Sequence, residues 1–136
     1  MVANIDNGVD LKYEISFVFY TVSIFCMRVH LIKKQTIQNY VDGHAPGKSS
    51  FENWVTTVKY ADWETPEDIR RTFGSADLLG QGNNRVVFNI GGNSYRMICK
   101  YHFGSSRVHL FVCWIGTHAE YDELCNHGGQ YTVNEN

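Results

Sequence analysis

The chain carries no excess of positive charge: 12 Lys and Arg stand against 14 Asp and Glu, a net −2 at pH 7. A nucleic-acid binder usually shows a basic face, so any such role must rest on a local cluster. No long apolar run is present either. Ile15 to Cys26 is apolar and β-branched, but shorter than the roughly 20 residues a membrane-spanning helix needs. The segment before it holds Asp6, Asp10, Lys12 and Glu14, which is not the positive flank of a secretion signal, and no small-residue cleavage pattern follows. There is no phosphate-binding P-loop, no dinucleotide fingerprint and no G-x-S-x-G elbow. The Cys99/His102 and Cys125/His127 spacings match no common zinc finger, and in a strand Cys99 and His102 would point to opposite faces. Internal repeats and low-complexity segments are missing.

What is present is an ordinary globular balance. A length of 136 residues fits one domain, and 43% hydrophobic with 19% charged residues fits one packed core. Aromatics reach 14%, and most are expected to serve packing. The four Cys are Cys26, Cys99, Cys113 and Cys125. Cys99 and Cys113 lie inside apolar strand-like runs, so reduced, buried thiols and a cytoplasmic setting are expected. Residues 1–26 hold one basic and three acidic residues, which leaves 11 of each in the remainder. This N-terminal stretch is read as an extension to a domain at 27–136. It is either an added strand or the product of an upstream start or fusion, with Met27 opening a new pattern.

Arg28 to Ile32 alternates and reads as a strand. Ile37, Tyr40 and Val41 give helical spacing ended by Asp42-Gly43. Phe51, Trp54, Val55 and Val58 form the apolar stripe of a second helix, for which Ser49 with Glu52 suggests a capping box. Thr65-Pro66-Glu67-Asp68 is a helix start: a cap, a proline at the first position, and acids at the positive end. That helix stops at Gly74, and a polar Gly80–Asn84 stretch follows. Arg85–Ile90, Ser94–Phe103 and Arg107–Ile115 read as three strands, the first two joined by a hairpin turn at Gly91-Gly92-Asn93. A short helix closes the pattern from Ala119 to Cys125. The predicted class is α+β, with helices packed on one face of an antiparallel meander.

Strand parity sorts the second of these strands. Tyr95, Met97, Cys99, Tyr101 and Phe103 share the face that should meet the helices. Arg96, Ile98, Lys100 and His102 share the other, expected to be open, which supplies the local basic patch that the total charge hides. Arg96 offers a planar, permanently charged fork for phosphate; its alternative is a cross-strand ion pair. Lys100 lies two alternations along, about 13 Å away, and is either a second phosphate contact or a solvated lysine. Histidine suits acid–base work, and His118 follows the last strand. Tyr121 and Asp122 lie one helical turn beyond it. Arg70 and Arg71 could extend a phosphate-binding track or be a solvated helix face.

Two segments together resemble the signature of HigB-type toxins in the RelE/ParE superfamily: Val87-Phe-Asn-Ile-Gly-Gly-Asn-Ser-Tyr-Arg-Met-Ile-Cys-Lys-Tyr101 and Ile115-Gly-Thr-His-Ala-Glu-Tyr-Asp-Glu-Leu124. Trp63-Glu64-Thr65-Pro66-Glu67 also fits. The resemblance covers nearly all of 27–126 and none of 1–26. It implies a RelE-like fold and a toxin of a type II toxin–antitoxin system that cuts mRNA on the ribosome without a metal or cofactor. It further implies a HigA-type helix-turn-helix antitoxin as partner, with DNA contact only through that partner, no membrane, and a bacterial cytoplasmic location. Arg96 stands where such toxins carry a catalytic Arg after a Tyr. The residues expected to carry catalysis are Arg96, Lys100, His118 and Tyr121, with Arg70, Arg71, Arg85 and His102 contacting RNA. Two other readings share the fold: a ParE-like toxin that binds DNA gyrase without chemistry, and an inactive homologue that only binds its antitoxin.

Overall fold

The computed structural model describes residues 28–135, so the expectations for residues 1–26 lie outside the described residues. Strand β1 spans Arg28–Ile32, helix α1 Lys34–Gly43, and a 3₁₀ turn Ala45–Gly47; α2 follows at Lys48–Lys59 and α3 at Pro66–Thr72. Then come β2 (Asp77–Leu79), β3 (Arg85–Ile90), β4 (Tyr95–Phe103) and β5 (Arg107–Thr117). Helix α4 (His118–Cys125) and a 3₁₀ turn at Gly129–Tyr131 close the chain. The strands form one sheet in the order β1-β5-β4-β3-β2. The α+β class with helices on a β3-β4-β5 meander is as expected.

The sheet differs from the expectation at both edges. β1 pairs parallel with β5, placing Arg28 opposite Arg107 and Ile32 opposite Phe111; a parallel partner requires a long crossover, which the helices provide. β2, missed in the sequence, pairs antiparallel with β3. Three residues are too few to show alternation, so only the neighbouring strand defines it. The turn between β3 and β4 contains Gly91 and Gly92, with φ of 69° and 66°, a backbone that glycine adopts without steric cost.

Two helix starts contrast. The expected Ser49–Glu52 capping box does not form. The 3₁₀ turn runs straight into α2, Gly47 is the N-cap, and no side chain caps it; Ser49 is already inside the helix. At α3 the expected cap is present, and the Asp68 carboxylate accepts from the backbone N–H of Glu64 at 2.8 Å and of Thr65 at 3.0 Å. These two bonds hold the Asp68 carboxyl below its ordinary pKa, with the Arg71 guanidinium adding to the effect.

Helices α1–α3 lie on one face. Ile37 and Val41 of α1, Phe51, Trp54 and Val58 of α2, and Ile69 of α3 pack on Val86, Phe88, Met97, Cys99, Val108, Leu110 and Val112 of the sheet. Tyr95, Tyr101 and Phe103 join this core, so the parity argument for β4 holds. Burial pushes the Cys99 thiol well above its usual pKa.

The opposite face is not simply open. A second, smaller core sits on it, built from Val87, Ile98, Cys113 and Trp114 with Leu79, Tyr121, Leu124 and Val133 against them. The register explains its shape. Ile98 pairs with Trp114 but Cys99 pairs with Val112, so Cys113 is an extra residue in β5. Such a bulge interrupts alternation and puts Cys113 and Trp114 on the same face. Helix α4 and the C-terminal segment therefore cover the middle of a face expected to be bare. No helix among the described residues is long and apolar enough to cross a membrane.

Candidate functional site

The second core divides the expected Arg96–Lys100–His118 cluster in two. At one end lies Arg96, opposite Gly116 in the register. Its side chain is buried, with 7% of the residue exposed. One guanidinium nitrogen donates to Asn93 Oδ1 at 2.7 Å and the other to the Tyr95 carbonyl at 3.1 Å. Both acceptors are neutral. Among the described residues no carboxylate lies within ion-pair distance of Arg96. A guanidinium has five N–H donors, so this buried cation keeps donor capacity beyond its two neutral acceptors, which an anion could fill.

His118 is brought to the same end by backbone. It opens α4, and its N–H donates to the Ser94 carbonyl at 3.0 Å. A capping box fixes that end: Thr117 N–H donates to Glu120 Oε1 at 2.8 Å, and Glu120 N–H to Thr117 Oγ1 at 3.2 Å. The sequence carries this signal as Thr117-x-x-Glu120. The His118 ring places Nε2 3.6 Å from Asp122 Oδ2. Its Nδ1 is buried without a hydrogen-bond partner. The N-terminal end of the α4 dipole adds a positive potential here.

Tyr121 leans on Trp114, with ring centroids 6.2 Å apart. Burial and its hydrogen bond with Cys125 push the phenol pKa up, while Arg96 pulls it down. The raising effects dominate, so the Tyr121 phenol stays protonated at neutral pH. Gly116 is what lets these groups close together. A Cβ there would meet the Trp114 indole at 2.3 Å and Glu120 Oε1 at 2.9 Å.

At the other end lies a separate basic patch. Lys100 and His102 are exposed, and with Lys33, Arg85, Phe111 and Asn134 they line a cavity of about 450 Å³. Alternation adds Arg28 and His30 of β1 and Arg107 and His109 of β5 to this face. The imidazoles form a row: His30 to His109 at 5.6 Å and His109 to His102 at 6.2 Å. His30 and His109 were missed in the sequence, because only the pairing of β1 with β5 and of β5 with β4 aligns them.

Three expected RNA contacts are placed elsewhere. Arg85 is on the site face but buried, donating to the carbonyls of Val133 at 2.7 Å and Gln130 at 3.3 Å. It fastens the C-terminal segment to the sheet. Arg70 and Arg71 lie on α3, whose Ile69 enters the helical-face core, so they are on the far side from Arg96. Each pairs within its own helix, Arg70 with Glu67 at 3.7 Å and Arg71 with Asp68.

Comparisons with known proteins identify the family. A family model for the RelE-like toxic component of a toxin–antitoxin system, the HigB toxin, matches residues 47–124. The chain is 30% identical over 96 residues to an mRNA interferase HigB of Escherichia coli O6:H1, covering 71% of this chain and 91% of that protein. It is 26% identical over 94 residues to the mRNA interferase toxin HigB of Escherichia coli K12 and to an mRNA interferase HigB of Shigella flexneri, in each case covering 69% of this chain and 88% of the relative. Both motifs that carry the sequence resemblance fall inside the matched span, and so do Arg96, Lys100, His118 and Tyr121. The chain therefore belongs to the HigB toxin family, the RelE-like toxic components of toxin–antitoxin systems.

Proposed function

We propose that this toxin is an mRNA interferase that cuts mRNA on the ribosome, needs no metal, and is held in check by a HigA-type helix-turn-helix antitoxin. The observation that carries the reading is Arg96: a buried guanidinium with neutral partners and no counter-ion among the described residues, beside the N-terminus of α4. The relatives named as mRNA interferases support it.

In this reading a 2′-hydroxyl attacks the adjacent phosphorus and the 5′ oxygen leaves, giving a 2′,3′-cyclic phosphate and a 5′-hydroxyl. Arg96 neutralises the phosphate as its charge concentrates in the transition state. His118, with Asp122 beside it, moves a proton, and the protonated Tyr121 phenol donates to the leaving oxygen. Lys100, His102 and the histidine row hold flanking RNA or ribosomal RNA through phosphates. DNA contact comes from the antitoxin alone, and the toxin acts where ribosomes are, in the bacterial cytoplasm.

The test is translation of a defined mRNA on purified ribosomes, with primer extension to locate cuts. Wild type should cut only when ribosomes are present, and Arg96→Ala should cut about 10²–10³-fold more slowly. Growth arrest with intact mRNA would overturn the reading and favour a gyrase-binding toxin.

A further inference from the structure

β1 ends at Ile32, opposite Phe111. Beyond that point no strand among the described residues lies beside this edge of β5, and the Glu135 N–H donates to the Cys113 carbonyl there at 2.9 Å. Between this edge and α1 lies a cavity of about 280 Å³ lined by Thr36, Asn39, Tyr40, Trp114, Ile115 and Glu135. It adjoins the Arg96 site through Trp114, whose indole lies over Gly116, the residue opposite Arg96.

We propose that this cavity binds one nucleobase of the RNA and sets base preference. The inference rests on the RNA-cleaving reading. Its size, at the lower end of small-molecule sites, suits a single heterocycle. Two walls are aromatic, Tyr40, whose ring stacks on His44 at 3.8 Å, and Trp114, 7% exposed, and bases are held by contact with such rings and by hydrogen bonds to their edges. Edge groups are present: the Thr36 hydroxyl, the Asn39 amide and the Glu135 carboxylate. Asn39 Oδ1 accepts from Gln35 Nε2 at 3.0 Å, which leaves its N–H₂ to donate. The lining has no cation and does have an acid, so it suits the uncharged base and repels phosphate. The hydroxyl of Tyr40, a lining residue, is buried without a hydrogen-bond partner. Such a group costs stability unless a bound molecule or its water satisfies it.

The test follows the Trp114 indole N–H by NMR while AMP, CMP, GMP and UMP are titrated in turn, with Trp114→Phe assigning the signal. One nucleotide should shift it well beyond the others, and Asn39→Ala should weaken that binding about fivefold. In parallel, Asn39→Ala and Thr36→Ala should flatten the base preference of cut sites on ribosome-bound mRNA. A Trp114 signal unmoved by all four nucleotides, moved equally by ribose 5-phosphate, or moved only by an antitoxin peptide would overturn the proposal. So would unchanged cut-site preference in both variants. If the base binds while mRNA stays intact, the pocket stands and the cleavage reading falls.

Discussion

Asn93 holds Arg96: the amide oxygen accepts from the guanidinium at 2.7 Å, from inside the turn that starts β4. A neutral acceptor orients the cation without neutralising it. Burying an unpaired charge is unfavourable for folding, and function is the usual reason to retain one. Arg96→Met should therefore slow cleavage about 10²–10³-fold while leaving the melting temperature unchanged or raised. Asn93→Ala should keep the fold and slow cleavage about tenfold, the loss of about one charge-assisted hydrogen bond. A marked fall in stability for Arg96→Met would show that the arginine is structural.

Arg85 is a second buried guanidinium with only neutral acceptors, but they belong to the C-terminal segment: the carbonyls of Gln130 and Val133. Arg85→Met should lower stability by about 1–3 kcal/mol. Hydrogen exchange should rise first at Gln130 to Glu135, as the segment comes off the sheet. Unchanged exchange in that segment would mean the two bonds do not hold it.

Lys100 is exposed and stands at the basic end. Lys100→Ala should leave stability within about 0.5 kcal/mol of wild type and weaken RNA binding alike for all sequences. It should lower the slope of log affinity against log salt by roughly one phosphate contact. A change in base preference would place Lys100 against a base instead.

Asp68 caps α3 and its folded-state pKa is depressed. A depressed carboxylate contributes stability that is present above the unfolded aspartate pKa and lost as pH falls through the folded one. Asp68→Ala should cost about 1 kcal/mol at pH 7, and the difference from wild type should shrink below the ordinary aspartate range, near pH 4 and under. Urea denaturation of both proteins at pH 7 and pH 3 measures it. An equal gap at both pH values would assign the cap to the neutral side chain.

Cys99 is buried with its thiol pKa raised. Only thiolates react readily, so native alkylation followed by mass mapping should leave Cys99 unmodified until denaturant is added. Modification at the rate of half-exposed Cys125 would mean that this part of the core opens easily.

The amino-acid sequence by itself determined the order of most elements, the apolar stripe of α2, the cap of α3 and the two faces of β4. These are local properties: side-chain spacing against a period of 3.6 or 2, and the chemistry of a helix start. It also marked Arg96 and His118, which lie in motifs. Only the tertiary structure decided the rest. The bulge at Cys113 turned Trp114 onto the site face and split a basic face expected to be continuous. Parallel pairing of β1 with β5 aligned three histidines from distant positions. The fold buried Arg85 under the chain's last residues and sent Arg70 and Arg71 to the other side. None of this is written in local spacing, because it depends on which strand lies beside which, and pairing between segments far apart in the chain is settled only when the cores on both faces of the sheet are packed.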